Sequence, residues 1–327
     1  MQYLRLGSSG QKVSRLCLGC MSFGGAPGGY YHWTLNYEDS KPIILRAIDL
    51  GINFFDTADV YSDGRSEKVL GKVVEGRRDD LIIATKVFGR TGTGPNDAGL
   101  SRKHVRHQVK GSLDRLRTKY LDLYQVHRWD YETPIEETLR TFHDLVHVDG
   151  VVNYIGASAM WAWQLGAALD MSERLGLEKF VTIQNHYNLA YREEEREMIP
   201  LCLSRGIGIM PWSPLARGFL TGKYNRGAAP KGKRYRSDYY LKERYFKPED
   251  FDVVTRLSET AKDKGTSSAK LALAWLLHKP GVVSPIVGVT SRAQLDELIE
   301  ATEIKISPKE MRRLEEPYQP HAVEGHT

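Results

Sequence analysis

The sequence is poor in cysteine, lacks a long apolar run and shows no secretory leader. Its three cysteines in 327 residues are an odd number in a long chain, which argues against a disulfide framework and for a reducing compartment. No apolar run approaches the length of a bilayer-spanning helix, and residues 1–20 contain no basic segment followed by an apolar core. These absences predict a cytoplasmic protein without a membrane role.

Signature motifs of several enzyme classes are also missing. No GxGxxG follows a predicted strand, so a Rossmann dinucleotide fold has no support. The segment GASAM around Ser158 has methionine where a nucleophile elbow requires glycine, which disfavours serine hydrolase chemistry. His143 and His147 have the spacing of a zinc-binding helix but lie away from any strand end, and Cys17 and Cys20 lie along a predicted strand. We therefore expect neither a metal site nor a redox cysteine pair.

The charge of the chain is moderate and spread along its length. The net charge of +5 is small, and 41% apolar with 27% charged residues is typical of a globular protein. Basic residues cluster only in the segment KGKRYR, residues 231–236. A short basic run without a nucleic-acid-binding module more often serves a phosphate-bearing small ligand. We expect a small-molecule partner and no nucleic acid.

Eight short apolar segments alternate with segments of helical spacing. The predicted strands are Val13–Cys20, Ile52–Phe55, Leu81–Lys86, Leu121–Val126, Val151–Ala157, Phe180–Ile183, Ile207–Met210 and Ser284–Val287. The predicted helices are Ser40–Leu50, Ser66–Val74, Ser101–Leu116, Pro134–Val148, Trp161–Leu175, Arg192–Arg205, Asp250–Lys264, Ser267–Leu277, Arg292–Ala301 and Pro308–Glu315, and residues 213–248 are predicted to be irregular. With no composition break that would mark a linker, this alternation favours a single α/β domain over residues 1–327, a (β/α)8 TIM barrel.

Loop lengths predict which end of the barrel carries the site. The segments that leave the first, third and seventh strands are long and rich in glycine, aromatic or charged residues, whereas the turns that enter strands are short, as at Gly51 and Gly206. Active sites of TIM barrels lie at the C-terminal ends of the strands. The long loops therefore place the site at that face.

Four residues stand at or just beyond the ends of three consecutive strands: Asp56, Tyr61, Lys86 and His127. Neighbouring strands bring these ends together at one mouth of the barrel. Tyrosine is a poor acid at neutral pH unless a cation stabilises its phenolate. Lys86 could supply that cation, Asp56 could hold Lys86 charged, and His127 could hydrogen-bond the same carbonyl oxygen. The set suits protonation of an alkoxide that forms from a carbonyl, as in hydride transfer.

Each of these residues alone also fits a structural role. Taken singly, they could be a buried lysine–aspartate pair, a core tyrosine and a histidine with its hydrogen bonds satisfied. The joint position of the four at successive strand ends is what favours a catalytic role.

Seven motifs along nearly the whole chain resemble the aldo-keto reductase superfamily. They are DTADVYSDG with Tyr61, ATK ending at Lys86, DLYQVHRWD with His127, YIGAS, QNHYNL, WSPLARGFLTGKY and IVGVTSRAQLDEL. The chain looks most like the bacterial and fungal subgroup described as aryl-alcohol dehydrogenases or 1-deoxyxylulose-5-phosphate synthases. The resemblance implies a TIM barrel that reduces carbonyls and binds NADP(H) without a Rossmann fold. It implies Tyr61 as general acid, tuned by Lys86 and Asp56, with His127 orienting the carbonyl.

The resemblance also implies the cofactor-binding residues. Ser158 and Gln184 would bond the nicotinamide amide, and Trp212 would stack on the ring. The pyrophosphate groove would be lined by Ser213, Leu215 and Lys223, with Arg234 of the basic segment clasping the cofactor. The adenosine 2'-phosphate would be held by Gly288, Thr290, Gln294 and Glu297, with Arg292 adding charge. Two positions depart from the family pattern: Leu298 stands where asparagine is frequent, and Asn153 replaces a basic residue.

Aromatic residues in the loops at the C-terminal face predict the substrate. Trp33 lies in the loop after the first strand, with Tyr30, Tyr31 and His32, and Trp129 follows His127. Flat apolar walls favour aryl aldehydes over polyhydroxylated sugars. For the aromatic residues from Tyr239 onward, an equal alternative is that they pin the loop to the barrel.

Two other functions remain open from the sequence. The chain could be a regulatory subunit that holds NADP(H) as a redox sensor, like the potassium-channel β subunits that it resembles, although it lacks their long N-terminal segment. It could also convert sugar phosphates, with the basic residues Lys231, Lys233, Arg234 and Arg236 binding the phosphate of a substrate.

Overall fold

Parallel strands form the centre of the computed structural model, which describes residues 1–25, 33–224 and 238–326. An antiparallel hairpin of β1 (Tyr3–Arg5) and β2 (Lys12–Ser14) precedes them. The sheet strands are β3 (Cys17–Gly19), β4 (Phe54–Asp56), β5 (Ile82–Val87), β6 (Leu121–Val126), β7 (Val152–Ser158), β8 (Phe180–Gln184), β9 (Gly208–Ile209) and β10 (Ile286–Val287). In the described residues this 8-stranded sheet has the order β10-β3-β4-β5-β6-β7-β8-β9.

The sheet closes on itself through single backbone hydrogen bonds between β9 and the segment before β10. The amide of Ile209 donates to the carbonyl of Gly281 at 2.9 Å, and the amide of Val283 donates back to Ile209 at 2.9 Å. Nearer the C-terminal end of the strands, the amide of Ile286 donates to the backbone oxygen of Pro211 at 2.9 Å. The result is the predicted (β/α)8 TIM barrel.

Helices surround the barrel and cover the outer face of its strands. They are α1 (Tyr37–Asp49), α2 (Arg65–Val73), α3 (Arg102–Leu116), α4 (Ile135–His147), α5 (Ala162–Leu175), α6 (Met198–Arg205), α7 (Tyr239–Arg244), α8 (Pro248–Asp263), α9 (Ser268–Leu277), α10 (Arg292–Ile299) and α11 (Pro308–Glu315). Side-chain caps begin several of them: Asn36 accepts from the amide of Asp39, and Ser101 from that of His104. No helix in the described ranges is long and apolar enough to cross a membrane.

The hairpin β1–β2 closes the N-terminal end of the barrel. Leu6 and Val13 are fully buried in the inner apolar cluster, together with inward residues of the strands such as Phe54 and Leu123. At the hairpin tip Gly7 has φ +58°, and a Cβ there would lie 2.1 Å from the carbonyl oxygen of Val181, so only glycine lets the two backbones approach so closely. The barrel is therefore open only at its C-terminal end within the described structure.

Several predicted boundaries differ from the structure. The first predicted strand, Val13–Cys20, is two elements, because residues 12–14 pair with β1 and only Cys17–Gly19 joins the barrel. The predicted helix Arg192–Arg205 is a 3-10 turn at Glu193–Glu195 followed by α6. Helix α7 lies in the segment that was predicted to be irregular; its cap is Asp238, whose side chain accepts from the amide of Leu241.

A buried polar network fastens α2 and α3 to the outer face of β5. Glu67 accepts from the Thr85 hydroxyl at 2.6 Å and from Arg115 Nε at 2.6 Å. Beside it the Asp59 carboxyl is 3% exposed. Neither oxygen of Asp59, nor the hydroxyl of buried Tyr124, has a hydrogen-bond partner among the described residues. Burial, and then the Glu67 charge, raise the pKa of Asp59 to about 7.

The close packing of α2 on α3 predicts that Gly71→Ala destabilises the protein. A Cβ on Gly71 would lie 2.5 Å from the backbone carbon and oxygen of Leu116. We expect a loss of about 1–3 kcal/mol in the free energy of unfolding, measured in urea. The control is Gly166→Ala in α5, where the nearest atom is Leu201 Cδ2 at 3.9 Å, and where alanine should stabilise by up to about 1 kcal/mol. Equal effects of the two changes would contradict the proposed clash.

The unpartnered Asp59 carboxyl predicts a stability that falls as pH rises. The pKa of about 7 in the folded protein exceeds the ordinary value of 3.8. The contribution of Asp59 to the free energy of unfolding is therefore fully present below pH 3.8 and is lost as pH rises to about 7. Asp59→Asn keeps the shape and removes the charge. We expect the free energy of unfolding of the variant, relative to that of the parent protein, to increase by on the order of 2 kcal/mol between pH 5 and pH 8, measured in urea. The control is Asp63→Asn in the same loop, whose side chain is 86% exposed; a parallel pH dependence in both variants would refute the prediction.

Candidate active site

The four predicted catalytic residues converge at the open end of the barrel. Asp56 is the last residue of β4, Lys86 lies near the end of β5, and His127 directly follows β6. Tyr61 lies in the loop between β4 and α2. The strand ends thus bring together residues that are far apart in the sequence.

The ammonium group of Lys86 is the centre of this set. Its Nζ lies 2.5 Å from Asp56 Oδ1 and donates to the backbone oxygen of Thr57 at 2.7 Å and to the Tyr61 hydroxyl at 3.2 Å. These three contacts match the three donors of an ammonium. The side chains of Lys86 and Asp56 are 0% and 3% exposed, so each charge depends on the other for compensation.

Two glutamine amides hold the second carboxylate oxygen of Asp56. Gln125 Nε2 donates to Oδ2 at 3.0 Å and Gln184 Nε2 at 2.8 Å. Gln125 was not predicted from the sequence, although a glutamine inside the apolar strand segment LDLYQV is the signal that marks it. Side chains alternate along a strand, which puts Asp56, Lys86 and Gln125 on the inner face of the barrel. Their mutual bonds fix the position of the carboxylate.

Tyr61 and Lys86 have opposing electrostatic environments. Burial raises the pKa of Tyr61, and the Lys86 charge opposes that rise without cancelling it. Burial alone would lower the pKa of Lys86, but Asp56 and Tyr61 overcome this effect and raise it above its ordinary value. The sequence predicts the effect of the lysine on the tyrosine but not the burial of the phenol, which is the larger effect. At neutral pH Tyr61 is therefore a phenol and Lys86 an ammonium.

His127 lies edge-on to Tyr61. The ring centres are 5.8 Å apart at an interplanar angle of 80°. Burial, and then the charges of Lys86 and Arg128, hold the pKa of His127 well below its ordinary value. A neutral imidazole has one N–H donor and one acceptor nitrogen. The ring can hydrogen-bond an oxygen beside Tyr61 without carrying an extra proton.

The residues predicted to hold the nicotinamide lie next to this set. Ser158 Oγ donates to the backbone oxygen of Gln184 at 2.8 Å. The amide nitrogen of Gln184 is engaged by Asp56, while its Oε1 accepts from no donor in the described ranges. The Trp212 ring stacks on His186 at 4.3 Å, and His186 stacks on Tyr191 at 4.0 Å. One face of Trp212 is therefore backed by two further rings.

The loop after β9 contains the residues predicted for the pyrophosphate groove. Ser213 has φ +53°, in the left-handed region, and Leu215 precedes a 3-10 turn at Ala216–Thr221. A Cβ on Gly218 would lie 3.2 Å from Lys223 Nζ, so the ammonium of Lys223 runs close along the backbone of this loop. Arg234 and the rest of the basic segment 231–236 lie outside the described residues.

The residues predicted for the 2'-phosphate lie in the segment before α10 and along that helix. Gln294 Oε1 accepts from the backbone amide of Thr290 at 2.8 Å and from its hydroxyl at 3.2 Å. Gly288 and Arg292 are exposed, and Glu297 accepts from the Ser267 hydroxyl at 2.6 Å. A helix N-terminus with an exposed arginine favours an anion.

The two departures from the family pattern have local structural explanations. Leu298 is 4% exposed and packs in the outer core. Asn153 Nδ2 donates to Asp122 Oδ1 at 3.4 Å, and Arg78 lies 2.6 Å from the other oxygen of that carboxylate. Arg78 and Asn153 thus share the carboxylate of Asp122.

Aromatic residues of the C-terminal face divide into two groups. Trp33 and Trp129 are partly buried, and the Trp129 ring lies 6.1 Å from that of Trp163. Tyr245 is buried and its hydroxyl contacts His186 Nε2 at 2.6 Å. Phe246 packs its ring against those of Phe219, Tyr224 and Phe251. Tyr245 and Phe246 therefore pin the loop to the barrel, whereas Trp129 is only partly buried. Tyr30, Tyr31 and His32 lie outside the described residues.

The C-terminal tail, residues 320–326, reaches the same mouth, which the sequence did not indicate. Arg128 Nη1 donates to the backbone oxygen of Gly325. A Cβ on Gly325 would lie 3.4 Å from the Trp212 ring. The ring of His326 lies 4.8 Å from that of Trp161. The tail therefore forms part of the wall around the candidate site.

Comparisons with known proteins agree with this geometry. Residues 15–319 match the aldo/keto reductase family. The chain is 39% identical to versiconal hemiacetal acetate reductase of Aspergillus parasiticus, over 99% of this chain and 98% of that protein. It is 40% identical to a Schizosaccharomyces pombe protein that bears the provisional name of an aryl-alcohol dehydrogenase, over 98% of this chain and 96% of that protein. It is also 40% identical to a probable voltage-gated potassium channel subunit beta of Arabidopsis thaliana, over 93% of this chain and 92% of that protein.

The family match covers all strands of the barrel and includes Tyr61, Lys86 and His127. Relatives named as reductases align with this chain from end to end. The chain belongs to the aldo-keto reductase family and is an oxidoreductase of carbonyl groups.

Proposed function

We propose that this protein reduces aldehydes and ketones, aryl aldehydes in particular, with NADP(H) as cofactor and Tyr61 as proton donor. The observation that carries the proposal is the contact of one buried ammonium, Lys86 Nζ, with both Asp56 (2.5 Å) and the Tyr61 hydroxyl (3.2 Å) at the open end of the barrel. Such a triad supplies a proton where an alkoxide forms.

Each residue of the triad has a distinct task in this mechanism. Tyr61, a phenol at neutral pH because burial raises its pKa, donates its proton to the oxygen of the reduced carbonyl. Lys86 then stabilises the phenolate, and Asp56 keeps Lys86 charged and in place. His127 donates an N–H to the same oxygen and aligns it with Tyr61. When bound, the nicotinamide supplies the hydride.

The residues around the triad fit the cofactor. Gln184 contacts Asp56 and Ser158 contacts the backbone of Gln184. The carbonyl oxygen of the Gln184 side chain suits an amide N–H. Trp212, backed by His186, offers a flat apolar surface for a ring. The phosphates would be held by Ser213, Leu215, Lys223 and Arg234, and by Gly288, Thr290, Arg292, Gln294 and Glu297.

Tyr61→Phe tests the proton donor. The change removes the hydroxyl and keeps the ring, so turnover of an aromatic aldehyde should fall by roughly two to four orders of magnitude. Binding of NADPH, measured by quenching of protein fluorescence, should be unchanged, because the residues assigned to it lie on other strands. An undiminished rate would exclude Tyr61 from the mechanism. The control is Tyr3→Phe, because Tyr3 lies on the N-terminal hairpin, far from the site, and is 45% exposed.

Trp33→Ala and Trp129→Ala test the preference for aryl substrates. If these rings wall the substrate pocket, their loss should lower kcat/KM for a substituted benzaldehyde about tenfold more than for a small aliphatic aldehyde. Trp163, which is 62% exposed next to Trp129, is the matched control. A ratio of the two efficiencies that stays constant in both variants would remove the basis of the aryl preference.

A second candidate function is redox sensing by a regulatory subunit. The observation in its favour is the 40% identity to a probable potassium channel subunit beta. Steady-state turnover with a range of aldehydes, compared with single-turnover oxidation of bound NADPH, separates the two functions. Slow turnover with every aldehyde, after a normal first turnover, favours the sensor. Sugar-phosphate conversion, the other alternative, depends on basic residues outside the described ranges.

We further propose that residues 1–327 act as one domain in the cytoplasm and bind no nucleic acid. Cys17, Cys20 and Cys202 are buried free thiols, which suits a reducing compartment.

A further inference from the structure

Gln125 contacts two residues of the site but has no task in the mechanism above. It lies near the end of β6 and is fully buried. Its Nε2 donates to Asp56 Oδ2 at 3.0 Å, and its Oε1 accepts from Gln184 Nε2 at 3.3 Å. One amide therefore contacts both the carboxylate that holds Lys86 and the side chain assigned to the nicotinamide.

The carboxylate of Asp56 decides how both glutamine amides are turned. An ionised carboxylate only accepts hydrogen bonds, so an amide beside it must present its nitrogen. Oδ2 receives Nε2 of Gln125 and Nε2 of Gln184, while Oδ1 faces Lys86 Nζ at 2.5 Å. With its nitrogen turned to Asp56, the oxygen is the atom of the Gln184 amide that remains for a ligand.

Gln125 fixes the plane of the Gln184 amide. A single hydrogen bond to Asp56, at 2.8 Å, would let the amide rotate about that bond. The second bond, to Gln125 Oε1, uses the other N–H of the same nitrogen and removes this freedom. A Gln184 amide turned by half a revolution would set its oxygen against two acceptors in a buried place, which is unfavourable.

The backbone leaves room for Gln125 in one place only. Gln125 pairs with Gly156 across β6 and β7, and the register of β7 with β8 shifts between Ile155 and Gly156. A Cβ on Gly156 would lie 3.1 Å from Gln125 Cγ and 2.5 Å from Thr182 Oγ1. The stem of Gln125 thus packs against a glycine, which limits the positions that its amide can take.

We propose that Gln125 is a positioning residue that joins the cofactor site to the proton-donating site. It turns the oxygen of Gln184 towards the amide N–H of the nicotinamide, and it holds the carboxylate of Asp56 in place for Lys86. The inference rests on the proposed reductase function and adds a residue that acts through Gln184 and Asp56. Recognition of the nicotinamide amide and proton transfer then depend on one shared side chain.

Three ligands test the orientation of Gln184. NADP+ has the amide N–H, 3-acetylpyridine adenine dinucleotide phosphate has a methyl ketone in its place, and adenosine 2',5'-bisphosphate lacks the nicotinamide half. We expect the parent protein to bind NADP+ about tenfold more tightly than the acetylpyridine analogue, measured by calorimetry. Gln125→Met should abolish this preference and leave the affinity for the bisphosphate unchanged. Gln125→Leu carries the same expectation and replaces the methionine variant if that variant does not fold.

Gln125→Glu is the conservative variant in the binding test. It keeps an oxygen for the N–H of Gln184, so it should retain the preference for NADP+ over the acetylpyridine analogue. The control is Thr182→Val: the Thr182 hydroxyl is buried beside Gln125 and has no hydrogen-bond partner in the described part of the chain. This change should leave all three affinities as they are.

The pH profile of alcohol oxidation tests the contact of Gln125 with Asp56. Oxidation needs the Tyr61 phenolate as proton acceptor. Burial is the largest cause that raises the pKa of Tyr61, and the Asp56 charge acts in the same direction, against Lys86 and Arg128. Gln125→Met removes a donor from Asp56 and leaves its charge less compensated. The acidic limb of the kcat profile should therefore move to higher pH by on the order of one unit.

The outcomes separate this inference from the reductase function. Equal losses of affinity for all three ligands in Gln125→Met and Gln125→Leu would mean that Gln125 only supports the barrel, and would overturn the proposal. It would also be overturned by a parent protein without preference for NADP+ over the analogue, or by folded variants that keep the preference and the pH profile. In these cases reduction of aldehydes by the parent protein would still stand. A parent protein that binds none of the three ligands and reduces no aldehyde would overturn both.

Discussion

The buried ion pair of Lys86 and Asp56 is the interaction on which the site depends. Two charges removed from water are costly, and their mutual attraction offsets that cost only when every remaining donor and acceptor is satisfied. Here the ammonium has Thr57 and Tyr61 as further partners, and the carboxylate has Gln125 and Gln184. Removal of any one member leaves a buried charge or amide without its partner. The position of Tyr61 therefore depends on residues of β4, β5, β6 and β8.

The barrel explains how such a pair can exist. The hairpin β1–β2 and the inner apolar cluster fill the N-terminal end, and the polar layer formed by Asp56, Lys86 and Gln125 lies one step further along the same inward faces. The apolar layer excludes water on the N-terminal side of the polar layer, and the loops add Tyr61 on its C-terminal side. A polar layer placed deeper would have no access to a ligand, and one placed in the loops would lose its rigid support.

The alternation of strands and helices, and the four residues at strand ends, could be predicted from the sequence because they follow local patterns. Strand boundaries were less certain where two elements adjoin, as at residues 12–19, because an apolar run does not show where a hairpin ends and a barrel strand begins. Gln125 was missed because a single polar residue in an apolar strand shows no partner. The contact of Arg128 with the tail was missed because it joins segments with no common pattern in the sequence.

Asp56 and Asp59 show why position in the fold decides what a residue can do. Both carboxyls belong to the same short segment, and both are buried at 2% and 3% exposure. Asp56 points into the barrel and meets an ammonium and two amides, so its charge is held in place. Asp59 points to the outer side, beside Glu67 and without a hydrogen-bond partner in the described structure, so burial raises its pKa to about 7 and favours the neutral form. The same short segment therefore contains one carboxylate paired with a buried ammonium and one carboxyl whose pKa burial raises to about 7.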